Sequence, residues 1–404
     1  MRKLFLILFL IPLSIIAQDY WEQRDSVNGP ARAAAASFEL DDEMFVTAGV
    51  NIEENKRKMY SYDLDQDDWD DEVALGGPTG LGLARNSAIG FSALGFGYIG
   101  LGSGTLPYMK DLWQYNPETE SWTQMADFIG EARNGAVAFA IDSVAYIGTG
   151  NTVDGLKNDF YAYNILSNSW HSISPLPEGP RKEAVGFTMG GKGYVGTGRG
   201  EDNYYNDFWE YFPVTDEWTK KASLPGVPRL GAVGCGNFPR AYIMMGETAS
   251  AYLDDVWEYN YFGDIWTQRA DFIGGQRTQA SAEVVDGRIF AGLGYDGEYH
   301  DDFYEYIPNP LSSEKYSGIG AIEVYPNPTL QYCFIKLNNP IKQFNFSVFD
   351  INGKEVTSSF IFSKNDLNTI RIERKKSDLV GLFIIRIKDS SEPNSEYLTK
   401  ILFN

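Results

Sequence analysis

Six arginines recur at one place in a repeating pattern: Arg32, Arg85, Arg133, Arg181, Arg229 and Arg277. Alanine follows each three residues later, at Ala35, Ala88, Ala136, Ala184, Ala232 and Ala280. A guanidinium is a rigid fork of donors that holds a carboxylate, a sulfate or a sugar acid through parallel hydrogen bonds, so a set of six is the first candidate for chemistry. The chain also carries competing acceptors. Asp111, Asp159, Asp207 and Asp255 stand 26 residues after their arginines, and Asp302 stands 25 after Arg277. Paired with these carboxylates the arginines are structural ties; unpaired they are a ligand site. Where a sixth aspartate is due the residue is Lys58, preceded by Lys56 and Arg57, so Arg32 lacks its acceptor. A ligand held by this array is therefore expected on the Arg32 side, with Lys58 taking part.

Other chemistry is poorly supplied. The only histidines are His171 and His300 and the only cysteines Cys235 and Cys333, none at metal-ligand spacing. Zinc, copper and Ser-His-Asp chemistry all draw on imidazole, so no metal site, no cofactor and no catalytic residue is assigned. Asp63-x-Asp65-x-Asp67 opens like a calcium loop but lacks the glycine and the closing glutamate, and reads as a solvated acidic turn. The formal charge of −21 and the absence of a basic patch disfavour nucleic acid and anionic lipid as partners.

The arginines need a scaffold that repeats with them. Trp21, Trp69, Trp122, Trp170, Trp218 and Trp266 keep a 48-residue beat with one interval of 53, and an aromatic pair such as Tyr161-x-Tyr163 precedes each of the last five. A further pair, Tyr304-x-Tyr306, has no tryptophan after it, while Tyr20-Trp21 has no pair before it; the two halves complete one unit. Each unit runs through a small-residue stretch (Asn134 to Ala140), a strand ending in G-x-G (Tyr146 to Gly150; the first unit keeps only Gly49 and the fifth only Gly246), the aromatic pair and the tryptophan strand. Short runs between Gly, Asn and Asp turns predict antiparallel strands, four per unit. The expected fold is all-β: a six-bladed β-propeller over residues 18–310, closed by the N-terminal strand. Its innermost strands crowd around a channel, which demands small residues there and places the arginines around one mouth.

In these elements the chain resembles kelch-repeat proteins: a glycine-ended second strand, a tyrosine seven residues before a tryptophan, and Asn206-Asp-Phe-Trp-Glu-Tyr211. It departs from the usual glycine doublet by showing G-x-G. The resemblance implies a kelch-type propeller, and some kelch adaptor domains hold acidic peptides with arginines at this place. The family also includes a copper radical oxidase and a sialic acid epimerase. The shortage of histidine argues against the oxidase; arginines and carboxylates at a channel mouth leave the epimerase-like alternative open.

The two ends differ from the middle. Arg2-Lys3 and the apolar run from Leu4 to Ile16 predict a signal peptide over residues 1–17, since thirteen residues are too few to span a bilayer. Residues 18–320 hold 21 basic and 46 acidic side chains, a charge of −25, whereas 321–404 carry +2. The change falls at a polar linker, 311–320. Beyond it, alternating strands around Asn352-Gly353 predict a small β-sandwich. Tyr325-Pro-Asn-Pro-Thr329, the hydrophobic strand into Asp350-x-x-Gly-Lys354 and Leu379-x-Gly381 resemble the C-terminal sorting domain of the type IX secretion system of Bacteroidetes-type bacteria. That implies a protein secreted or held at the outer cell surface, with the secretion machinery as partner of residues 321–404. The functional expectation is a binding module for a carbohydrate, a protein or an acidic ligand at the channel mouth; a sugar-acid-modifying enzyme and a surface scaffold are the alternatives.

Overall fold

The computed structural model describes residues 19–77 and 83–308, and in the C-terminal region 323–325, 332–336, 344–350, 354–364, 369–376, 381–389 and 396–403. The expected signal peptide, the linker 311–320 and the Asn352-Gly353 turn lie outside the described residues.

Six four-stranded antiparallel sheets follow one another along residues 20–307. Blade 3 shows the plan: Val137–Ile141, Val144–Gly148, Phe160–Asn164 and Ser169–Ile173 pair in sequence order from the channel outwards. The innermost strands, Ala33–Leu40, Ile89–Ala93, Val137–Ile141, Val185–Met189, Val233–Asn237 and Ser281–Val285, each neighbour the next, and the last neighbours the first. The ring is thus a six-bladed β-propeller. Tyr20–Arg24 forms the outer strand of blade 6 against Phe303–Ile307, with Trp21 opposite Tyr306. The two ends of the propeller segment meet there, which completes the fourth strand of blade 6 and ties the ring shut.

The repeated residues hold blade to blade. Every beat tryptophan donates its indole N–H to a backbone carbonyl just past the outer strand of the preceding blade, as Trp170 does to Ala126 (3.1 Å) and Trp218 to Ser174 (3.0 Å). In blades 1 to 4 an inner-strand phenylalanine stacks on its cross-strand aromatic, as Phe91 does on Tyr98 with centroids 4.8 Å apart. Blades 5 and 6 break this rule, with Cys235 opposite Tyr242 and Glu283 opposite Phe290. In G-x-G, Gly148 leaves room for Phe160, which a Cβ would meet at 2.3 Å, and Gly150 takes a φ of +95°.

The C-terminal region is a second all-β unit. Two sheets, one containing Tyr332–Lys336 and Thr369–Arg374 and the other Phe344–Asp350, Gly381–Asp389 and Glu396–Phe403, enclose a core around Cys333, Ile372, Phe383 and Ile385. On the opposite face Phe349 packs on Phe238 and Phe262 of blade 5, each at 5.5 Å, and Arg386 lies 4.7 Å over Phe262.

Candidate functional site

The connection that enters each blade ends on its arginine, and in blades 2 to 6 the approach to the third strand, or in blade 5 the strand Tyr252–Asn260 itself, supplies the aspartate. In five blades the two side chains meet as a fork on a carboxylate. Arg85 Nη1 and Nη2 lie 2.8 and 2.6 Å from Asp111, and Arg181 lies 2.5 and 2.8 Å from Asp207. Arg133–Asp159, Arg229–Asp255 and Arg277–Asp302 repeat the geometry. Each Nη1 also donates to a carbonyl at the end of the second strand, such as that of Leu101, just past Phe96–Gly100, or Thr149, just past Val144–Gly148. Burial pushes the Asp111 carboxyl up, but hydrogen bonds and charge from Arg85 and the Trp113 indole outweigh it and leave its pKa lowered.

These facts correct the expected arginine ring. Arg32, Arg85, Arg133, Arg181, Arg229 and Arg277 are all 0 % exposed, so none faces the channel mouth as a cationic group. The physical reason is the spacing already noted: a buried guanidinium takes the carboxylate at hand. Each pair lies within a blade and pins the entering connection to that blade, rather than bridging two blades.

Blade 1 is the exception. Arg32 Nε donates to Pro30 O (3.1 Å) and Nη1 to Ala48 O and Lys58 O (3.2 and 3.4 Å), while Nη2 has no hydrogen-bond partner. Of the neighbouring cations, Lys56 pairs with Glu54, Arg57 donates to Leu75 O and Gly77 O, and the half-exposed Lys58 reaches Asp71 at 2.7 Å.

At the mouth itself a different ring appears. The second residue after each arginine is left-handed, and the six are joined head to tail by backbone hydrogen bonds: Ala34 N to Gln279 O, Ser87 to Ala34, Gly135 to Ser87, Glu183 to Gly135, Gly231 to Glu183 and Gln279 to Gly231, at 2.8–3.1 Å. Around this collar stand residues that do not repeat. The position after the arginine is Asn86 in blade 2, Asn134 in blade 3, Lys182 in blade 4, Leu230 in blade 5 and Thr278 in blade 6. Across the short bridge from these lie Ser103, Asn151, Arg199, Glu247 and Tyr295. Asn86 donates to Asn55 (2.6 Å), Asn134 to Ser103 (3.1 Å) and Asn151 to the Tyr108 hydroxyl (2.8 Å). Tyr295 contacts Tyr252 and Tyr299 with centroids 6.0 and 4.9 Å apart. Burial, then the charge of Glu183, raises the Glu247 pKa, and Glu183 Oε2 is buried without a partner. These residues are not part of the shared repeat pattern; their signal in the sequence is the variation at the position after each arginine.

The other end of the channel opens into a cavity of about 840 Å3 at the turns between the first and second strands, with Ile384 of the C-terminal region in its wall. Its charged lining side chains are Glu39, Asp42, Glu283 and Asp286. Glu283 accepts from Ser37 Oγ (2.7 Å), and burial raises its pKa to about 7.

The remaining candidates are structural. Asp63 accepts from Asp65 N, Gln66 N and Gln66 Nε2, and Asp67 accepts from the Tyr62 hydroxyl and Asp25 N, so this run builds its turn and the seam to blade 6. His300 meets Asp296 at 3.0 Å and His171 is exposed on an outer strand. Among the described residues no group of three or more His, Cys, Asp or Glu could hold a metal ion.

Residues 323–402 match the family described as secretion system C-terminal sorting domain. This tail marks the protein for export to the outer cell surface or beyond, and the secretion machinery is its partner. No curated protein matches the chain. Among solved structures, "Structure of YjhT" is similar with a TM-score of 0.62 at 14% identity, covering 72% of this chain and 98% of that one. At that identity the likeness is one of fold.

Proposed function

We propose that the protein is an exported binding module whose kelch-type propeller holds a carbohydrate at the arginine-side mouth of its channel. The observation that carries this reading is the contrast between repeated and unrepeated residues. The tryptophans, the second glycine of G-x-G and, in five blades, the Arg–Asp pairs recur because the blades need them for packing, whereas the side chains around the backbone collar differ from blade to blade. Asn86, Ser103, Asn134 and Asn151 offer amides and hydroxyls on blades 2 and 3, which suit sugar hydroxyls. Tyr252, Tyr295 and Tyr299 offer ring faces on the far side, and Lys182 and Arg199 suit a carboxylated sugar. A sorting tail accords with a module that works outside the cell, and the kelch resemblance of the repeats supports a binding role for the fold.

Titration calorimetry with neutral and uronic-acid oligosaccharides tests the reading. Binding is expected, and Asn86→Ala with Asn134→Ala is expected to weaken it at least roughly tenfold, the equivalent of one or two hydrogen bonds. Binding that ignores the double variant, or no binding by any oligosaccharide offered, refutes it. Glu183 and Glu247 favour a second reading, an enzyme that moves a proton on a sugar acid, because one carboxyl has a raised pKa and the other keeps an unsatisfied oxygen. Epimer exchange followed by NMR, lost in Glu183→Gln, would establish it; no exchange in the native protein would dismiss it.

A further inference from the structure

Five blades satisfy their buried arginine with an aspartate, and blade 1 does not. Blade 3 is the useful comparison. There Arg133 Nη2 donates to Asp159 Oδ2 (2.9 Å), and the hydroxyl of Tyr161 donates to the same oxygen (3.1 Å). Blade 1 keeps both donors: Arg32 matches Arg133 in the repeat, and Tyr60 matches Tyr161. Only the acceptor is gone, replaced by Lys58.

The guanidinium that remains is poorly compensated. Arg32 is 0 % exposed, its Nη2 is without a partner, and its contacts to Lys58 O and Ala48 O are longer than the carboxylate contacts elsewhere. Tyr60 lies between two cations, its centroid 5.0 Å from Arg32 Cζ and 4.9 Å from Lys58 Nζ. Burial lowers the pKa of Arg32, and Tyr60 only partly offsets it. Lys58 is half exposed and its pairing with Asp71 is a surface contact of the kind that exchanges easily.

We propose that Arg32, Tyr60 and Lys58 form a carboxylate-binding site, in which the carboxylate of a small ligand takes the place that Asp159 occupies in blade 3. Arg32 Nη2 and the Tyr60 hydroxyl donate from inside, and Lys58 meets the outer oxygen after leaving Asp71. The site is separate from the carbohydrate mouth and stands or falls independently of it.

The test is thermal unfolding of the whole protein in acetate or formate against chloride at constant ionic strength. Saturable stabilisation by the carboxylates beyond that of chloride is expected. Lys58→Asp supplies the missing acceptor from within; it is expected to melt higher than the native protein and to lose the carboxylate response. Lys58→Ala keeps the buried donors and is expected to need roughly tenfold more acetate for half its effect, as loss of one charge-assisted contact implies. Equal responses to acetate and chloride in the native protein, or an undiminished acetate response in Lys58→Asp, would overturn the proposal.

Discussion

Arg181 and Asp207 form the most enclosed of the Arg–Asp pairs: the fork is 2.5 and 2.8 Å long, the arginine side chain is 0 % exposed and the aspartate 6 %. In the matching pair of blade 3 the aspartate, Asp159, is 34 % exposed. Water can replace part of the lost partner only in the second case. Asp207→Asn is therefore expected to cost about 3–5 kcal/mol, the usual loss when a buried ion pair keeps one charge, and Asp159→Asn distinctly less. Urea unfolding of both variants checks the order; equal losses would contradict it.

The closing strand is tied by charge as well as by main-chain pairing. Glu305 receives Arg24 from the N-terminal strand and Arg288 from blade 6, each at 2.5 Å. Glu305→Gln removes the carboxylate that both cations share and leaves Arg24 with Glu22 at 2.8 Å and a longer contact to Asp67. We expect earlier proteolytic cutting within residues 19–24 than in the native protein, with little change at the seam between blades 3 and 4. Unchanged cutting at the N-terminal strand would show that main-chain pairing alone closes the ring.

Glu283 sets a pH dependence. Its pKa in the folded protein is raised to about 7 from an ordinary 4.5, so the fold favours the protonated form. The stability this group contributes is complete below its unfolded pKa and is lost as the pH rises through about 7. A shift of that size corresponds to roughly 3 kcal/mol between the two limits. Glu283→Gln cannot ionise, so its melting temperature is expected to fall less than that of the native protein between pH 5 and pH 8. Parallel profiles would remove Glu283 as the cause.

The paired aspartates act in the opposite direction. Asp111 has a lowered pKa, so its contribution is present above the unfolded value near 4 and lost as the pH falls through the lower folded value. Acid unfolding is expected to begin at higher pH in Arg85→Met, which removes the partner that holds Asp111 ionised. An unaltered acid midpoint would count against the pair as a source of acid stability.

Export follows the tail. Deleting residues 321–404 is expected to leave the protein inside the cell with the propeller still folded, as circular dichroism and fractionation would show. Recovery of the truncated chain in the medium would show that another segment directs export.

Much of this molecule was legible in its residues because a propeller writes its packing rules once per blade. Trp170, Gly150 and Arg133 each answer a steric or hydrogen-bonding need that recurs in every blade, so strand order, blade number and closure by Tyr20–Arg24 follow from the beat. The spacing also set an aspartate within reach of five arginines and showed that Arg32 has none. What spacing could not settle is direction. Whether a guanidinium turns to the mouth or into its own blade depends on which acceptor and how much water it meets, and only the packed loops show all six arginines enclosed. The collar of Ala34, Ser87, Gly135, Glu183, Gly231 and Gln279, the raised pKa of Glu283 and the unmatched Nη2 of Arg32 arise where chain segments from different blades or loops converge. A sequence read along the chain carries the needs of one blade at a time; burial and charge at those junctions belong to the assembled ring.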